Sequence, residues 1–158
     1  MALFRSLQES AFTDWFLGSA SIWTYPTVLT LHTMGMAILV GASFVVNLRV
    51  LQVAGEIPLQ RLAPLYRLIW LGFVINLCSG LVLFVTQAAD RVQDPVFYVK
   101  LGSIAAALWF GVLVKRASID AVDAPQVTPP RSRRMAAGAL GMWTVAIVAG
   151  RLMAYLHS

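Results

Sequence analysis

Between Asp14 and Arg49 the chain carries no charged residue, and three further stretches are nearly as apolar. A membrane span takes about 20 predominantly apolar residues, because the hydrocarbon core is about 30 Å thick and a helix rises about 1.5 Å per residue. The stretches read as spans over 22–48, 66–89, 96–115 and 135–156. From Val96 to Val114 the only charge is Lys100, close enough to an end to snorkel; from Met135 to Leu156 it is Arg151. Strands of a membrane barrel would be about 10 residues long and would alternate strictly. These runs are longer and do not alternate. Composition agrees: of 158 residues 59% are hydrophobic and 12% charged, and mean hydropathy is +0.75. A soluble domain carries about 25% charged residues.

The expected fold is all-α, an integral membrane four-helix bundle over 21–158 with an N-terminal amphipathic surface helix over 1–20. Phe4, Leu7, Ala11 and Trp15 recur at helical spacing, with Arg5, Gln8, Glu9 and Asp14 elsewhere on the wheel. Ser6 and Glu9 have the spacing of a capping box. Such a helix lies in the membrane interface. Trp23 and Tyr25 are placed as interfacial anchors, and Pro26 sits near a helix start, where its missing N–H costs least. Residues 52–64 read as a loop, Asp90–Pro95 as a tight turn, and 118–134 as the longest loop, broken by Pro125, Pro129 and Pro130.

The net charge of +5 and pI near 10.0 do not point to nucleic acid, because the basic residues sit in loops. Arg49, Arg61, Arg67, Lys115, Arg116, Arg131, Arg133 and Arg134 fall on one side. Arg5, Arg91, Lys100 and Arg151 fall on the other. The positive-inside rule puts the first group in the cytoplasm and both termini outside. The basic cluster before the fourth span also suits contact with anionic lipid. The single cysteine, Cys78, cannot form an intrachain disulfide and reads as a small hydrophobe. Glu9 and Asp14 interrupt any signal-peptide core, so none is expected.

His32 is the one histidine inside a span, and it shares a helix line with Tyr25, Met36 and Ser43. Depth counting puts it roughly 13 Å below Trp23, level with Asn76 and Ser79 of the second span. Three readings of His32 stay open: an axial ligand of b-type haem, a metal ligand with Met34, Met36 or Cys78, or a packing residue bonded across to Asn76 or Ser79. His157 is the other histidine and lies too shallow to pair with it. Arg151 is a candidate for a cofactor's acidic group, or else snorkels or pairs with Glu9 or Asp14. Ser43, Asn76, Ser79 and Thr144 are the candidate interhelical polar groups. No Asp or Glu lies in any span and no nucleophile sits beside a base, so no catalytic residue is assigned.

The run Trp23-Thr24-Tyr25-Pro26, then Leu31-His32, Gly35, Gly41 and Asn47-Leu48-Arg49, resembles an uncharacterised family of small bacterial inner-membrane proteins. Ser79-Gly80 and Pro95-Val96-Phe97-Tyr98-Val99-Lys100 continue the likeness, which covers about residues 20 to 115. Asn47 stands where that family has an acidic residue. The resemblance implies four helices, multi-pass, in a bacterial inner membrane, where the Lys and Arg distribution puts both termini in the periplasm. A more distant likeness is to copper resistance D-type membrane proteins, with no ligand set carried across. The leading functional expectation is a non-catalytic membrane subunit or anchor, whose partners are the lipid bilayer and another membrane or periplasmic protein. The alternative is an electron-transfer protein binding b-type haem or a metal at His32.

Overall fold

A computed structural model describes residues 6, 9–18, 23–53, 57–120 and 128–156. Among the described residues there is no strand, and four helices are long and apolar enough to cross a membrane. A short helix α1 (Ala11–Gly18) precedes them. The spans are α2 (Thr24–Val50), α3 (Leu65–Val85), α5 (Pro95–Ser118) and α6 (Pro130–Leu156), with a 3-10 turn at Leu59–Leu62 and a single helical turn α4 (Ala88–Arg91) between them. The protein is thus an all-α membrane bundle. It is built as two antiparallel hairpins, α2–α3 and α5–α6, joined chiefly where α2 packs on α6.

The span ends differ from expectation for local reasons. Leu7 and Gln8 of the Ser6–Glu9 box lie outside the described residues; the cap of α1 is Ser10, whose Oγ accepts from the Thr13 N–H at 3.4 Å. Helix α2 runs on through Arg49, which is buried and whose Nε donates to the Ile57 carbonyl, so the guanidinium has a polar partner at that end of the helix. Beyond it Gln52 adopts φ 67°, the left-handed position that ends a helix. Helix α3 stops at Val85 rather than near 89. Thr86 Oγ1 turns back onto the Leu83 carbonyl at 2.9 Å, and the chain re-enters a helical turn at Ala88.

Asp94 caps α5, its Oδ1 accepting from the Val96 N–H at 2.8 Å with Pro95 in the first turn. Helix α5 extends to Ser118, and Lys115 in its last turn pairs with Asp120 at 2.7 Å. Helix α6 begins at Pro130, five residues ahead of expectation, so Arg131, Arg133 and Arg134 stand on its first turns and not in a loop. Proline is tolerated at a helix start and pre-sets the dihedral there. Thr128 Oγ1 ties this entry to the end of α2 by donating to the Val50 carbonyl at 2.9 Å.

Candidate functional site at the outer layer of the bundle

The end of the bundle carrying the α3–α5 connection is called outer, after the charge distribution. Its geometry begins one turn deeper, where α2 and α3 touch backbone to backbone. A Cβ on Gly35 would stand 2.8 Å from the Asn76 amide nitrogen, and one on Gly72 would stand 2.6 Å from that of Leu39. Only hydrogen side chains allow this approach, the small-residue mode of packing in lipid. Two side chains then bridge the helices in opposite directions. Asn76 Nδ2 donates to the His32 carbonyl at 2.9 Å, and His32 Nδ1 lies 3.1 Å from the Asn76 carbonyl and 3.1 Å from Ser79 Oγ.

These contacts determine the tautomer. A backbone carbonyl only accepts, so Nδ1 must carry the proton. The Ser79 hydroxyl spends its hydrogen on the Ile75 carbonyl at 2.6 Å, which leaves Ser79 Oγ as a second acceptor for Nδ1–H. In neutral His32 the lone pair is therefore on Nε2. The ring lies beside Gly80, where a Cβ would come within 3.1 Å of Cε1 and 3.4 Å of Nδ1. An imidazole whose Nδ1–H is bound to a carbonyl, with Nε2 bare, is the arrangement that orients a metal-ligating histidine.

Lys100 completes this layer. Its side chain lies against α6, with Cδ, Cε and Nζ at 3.9, 3.7 and 3.8 Å from the position of a Cβ on Gly150. At 1.5 Å per residue, His32 lies roughly 12 Å from the outer end of α2, Gly80 and Lys100 roughly 8 Å from theirs, and Gly150 roughly 9 Å. One layer thus takes a residue from each span. It is bounded toward the outer end by Phe84 of α3 stacked on Phe97 of α5, centroids 5.5 Å apart. The Lys100 ammonium is within electrostatic reach of both His32 and Arg91. Lys100 is half-buried, a cation set inside a span with no acid in any span to match it.

The other candidates scatter. Ser43 is buried and accepts from Trp143 Nε1 at 2.7 Å, an α2–α6 bridge. Asn47 extends it by donating to Ser43 Oγ at 3.2 Å and to the Ser43 carbonyl at 2.8 Å. A cavity of ≈ 20 Å³, about one water, lies beside Ser43 and Trp143. Thr144 is not an interhelical group: it is exposed and donates to the Leu140 carbonyl of its own helix at 3.0 Å. Arg151 is exposed at the outer end of α6, and His157 lies outside the described residues. The thiolate and thioether partners expected for a metal at His32 are mostly turned away. Cys78 and Met34 are exposed, and only Met36 stays half-buried on the His32 face. Among the described residues no three His, Cys, Asp or Glu gather at one point.

No protein-family model, curated protein or solved structure matches this chain. The fold and the site therefore define a class, a polytopic all-α membrane bundle with an oriented intramembrane histidine.

Proposed function

We propose that this protein is a non-catalytic membrane subunit that holds a b-type haem through Nε2 of His32 and exchanges electrons with a membrane or periplasmic partner. The observation that supports this reading is the Nδ1–H bond to the Asn76 carbonyl, which leaves the lone pair of neutral His32 on Nε2 while also packing α2 on α3. Neutral imidazole is a common axial ligand of haem iron, and helical bundles are common holders of haem. Haem is favoured over a bare copper ion because Cys78 and Met34 face away from His32. Arg151 stands at the outer end as a cation for an acidic group of the cofactor.

The test is a dithionite-reduced minus oxidised absorbance spectrum of protein purified in mild detergent from haem-sufficient cells. A Soret band with resolved α and β bands, lost in His32→Ala while far-UV circular dichroism is kept, is the expected result. A featureless spectrum from folded wild-type protein would eliminate the haem.

A second reading, a cofactor-free anchor, is favoured by a separate observation. Helix α2 turns Thr33, Ala37 and Gly41 outward at four-residue spacing, and nothing lies within 4 Å of a Cβ built on Gly41. Such a seam accepts a partner helix. On this reading a partner co-purifies at fixed stoichiometry from haem-free protein, and a lone monomer under those conditions counts against it.

We also propose that the membrane is a bacterial inner membrane and that both termini are periplasmic, on the Lys and Arg distribution and the family resemblance. In a Cys78→Ser background, Gln93→Cys on the α3–α5 turn should react with an impermeant maleimide in intact spheroplasts. Gln60→Cys on the 3-10 turn should react only after permeabilisation. The reverse pattern would invert the topology.

A further inference from the structure

The inner end of the bundle carries charge that the reading of His32 does not use. Residues 49–67 and 115–134 hold eight Lys and Arg against three Asp and Glu, so the chain's whole net charge of +5 lies at that end. Arg49 is taken up by the Ile57 carbonyl, and Lys115 by Asp120 at 2.7 Å. Arg67 on the first turn of α3 and Arg116 on the last turn of α5 are exposed, and among the described residues neither pairs with a carboxylate. Two contacts bring these turns together. Tyr66 Oη donates to the Gly111 carbonyl at 3.3 Å, and Lys115 Nζ stands 5.7 Å from the centre of the Tyr66 ring. Arg67 follows Tyr66 in the chain, and Arg116 follows Lys115.

Deeper in the membrane α3 and α5 do not pack along their length, and a furrow runs between them. One wall is Ile69 and Trp70, the other is Leu108, Gly111 and Val112, and Trp143 lies at the floor. Only ≈ 20 Å³ of it is enclosed, so it suits a chain lying along the surface and not a ligand sealed inside. The Tyr66–Gly111 bond holds the walls too close for a helix to enter between them, since packed helices stand about 8–10 Å apart from axis to axis. Both walls run into cations. Arg67 is one turn nearer the inner end than Trp70, and Arg116 one turn nearer than Val112, so each stands on the helix face that lines the furrow.

We infer that this furrow holds an acyl chain of one anionic phospholipid from the leaflet at that end, with the lipid phosphate received by Arg67 and Arg116. An apolar furrow leading to two exposed guanidinium groups matches the two halves of such a lipid, and the guanidinium fork suits phosphate oxygens. Basic residues at a membrane surface draw anionic lipid in any case; the furrow adds a fixed position for one molecule. The inference depends neither on the haem reading of His32 nor on the direction in which the chain is threaded.

The test is native mass spectrometry of the protein in mild detergent with equal amounts of phosphatidylglycerol and phosphatidylcholine, counting the lipid retained per chain. Wild type should retain one phosphatidylglycerol with a preference of at least about fivefold, the factor that one basic residue contributes near an anionic surface. Arg67→Gln combined with Arg116→Gln should abolish that preference. Gly111→Leu should abolish it with every charge kept. A Cβ at Gly111 meets nothing within 4 Å, so the added side chain occupies the furrow without displacing the bundle. Arg131→Gln, Arg133→Gln and Arg134→Gln together should leave the preference intact. Equal retention of the two lipids by wild type would overturn the inference. So would a preference that survives Gly111→Leu, or one that is lost with the three α6 arginines instead. If the Arg67 and Arg116 variant fails to fold, Gly111→Leu decides alone.

Discussion

Replacing Gly72 by alanine is expected to open the α2–α3 hairpin and to cost about 3 kcal/mol, the upper part of the range for overpacking a tight contact. The new Cβ would stand 2.6 Å from the Leu39 amide nitrogen, 2.9 Å from the Gly35 carbonyl and 3.0 Å from the Leu39 Cα. All three are backbone atoms of a regular helix, so no rotamer change relieves the clash. The helices must separate, and separation breaks the Asn76 and His32 bridges lying one turn away. The loss therefore exceeds that of either bridge alone, since a single interhelical hydrogen bond in a membrane contributes about 0.6–2 kcal/mol. Gly35→Ala should act through the same contact, and the double variant should cost less than the two separately, because the first opens the space for the second. Gly102→Ala on α5, with nothing within 4 Å, is the control and should be neutral. Unfolding by graded sodium dodecyl sulfate, followed by circular dichroism, reads all four. An unchanged midpoint for Gly72→Ala would show that the hairpin does not depend on this contact.

The spans were legible because lipid imposes a requirement that composition states directly: every long charge-free run must hide its backbone in a helix. Their ends were less legible. Arg49 and Arg131 look like loop residues by charge, yet each finds its place on a helix. Arg49 does so through a carbonyl eight residues on, and Arg131 because Pro130 starts a helix as readily as it ends one. At the site, counting depth put His32 level with Asn76 and Ser79, and those are the groups within 3.1 Å of its ring. The reasoning worked there because a polar group in a span has few partners to choose from.

It failed at Thr144 for an instructive reason. Polarity makes Thr144 a candidate interhelical group on α6. The buried face is instead Ala136, Ala139, Trp143, Ala146 and Ala149. In lipid there is no gain from hiding apolar surface, so close packing decides which face is buried, and small residues win. A threonine can remain outside because its hydroxyl bonds to its own helix. Lys100 depends on packing in a related way: the groove that Gly150 provides on a helix fifty residues later is visible only once α5 and α6 are packed together.

Packing between the two hairpins makes Trp143 the second residue of large expected effect. It is 2% exposed, the largest fully buried side chain, and the indole is the main polar and steric link from α6 to α2. Trp143→Ala should cost about 3 kcal/mol, the lower end for deleting a buried aromatic, since lipid supplies no hydrophobic transfer term of its own. The ≈ 20 Å³ cavity already beside the ring would merge with the new void, and it is lined on one side by Tyr66 and Ile69 of α3 and on the other by Ala107 and Leu108 of α5. Truncation therefore removes material where the two hairpins meet, while leaving the Gly35–Gly72 contact inside the first hairpin intact. The outcome should be a change in cooperativity as well as in stability, with the α2–α3 hairpin persisting to higher detergent than the α5–α6 contact with it. Trp143→Phe separates the causes. It keeps most of the volume and loses only the bond to Ser43 Oγ, which still accepts from Asn47 Nδ2 at 3.2 Å, so about 1 kcal/mol and a single transition are expected. A single transition in Trp143→Ala, with the midpoint of Trp143→Phe, would mean that the hairpins are held together elsewhere and that the indole is merely accommodated.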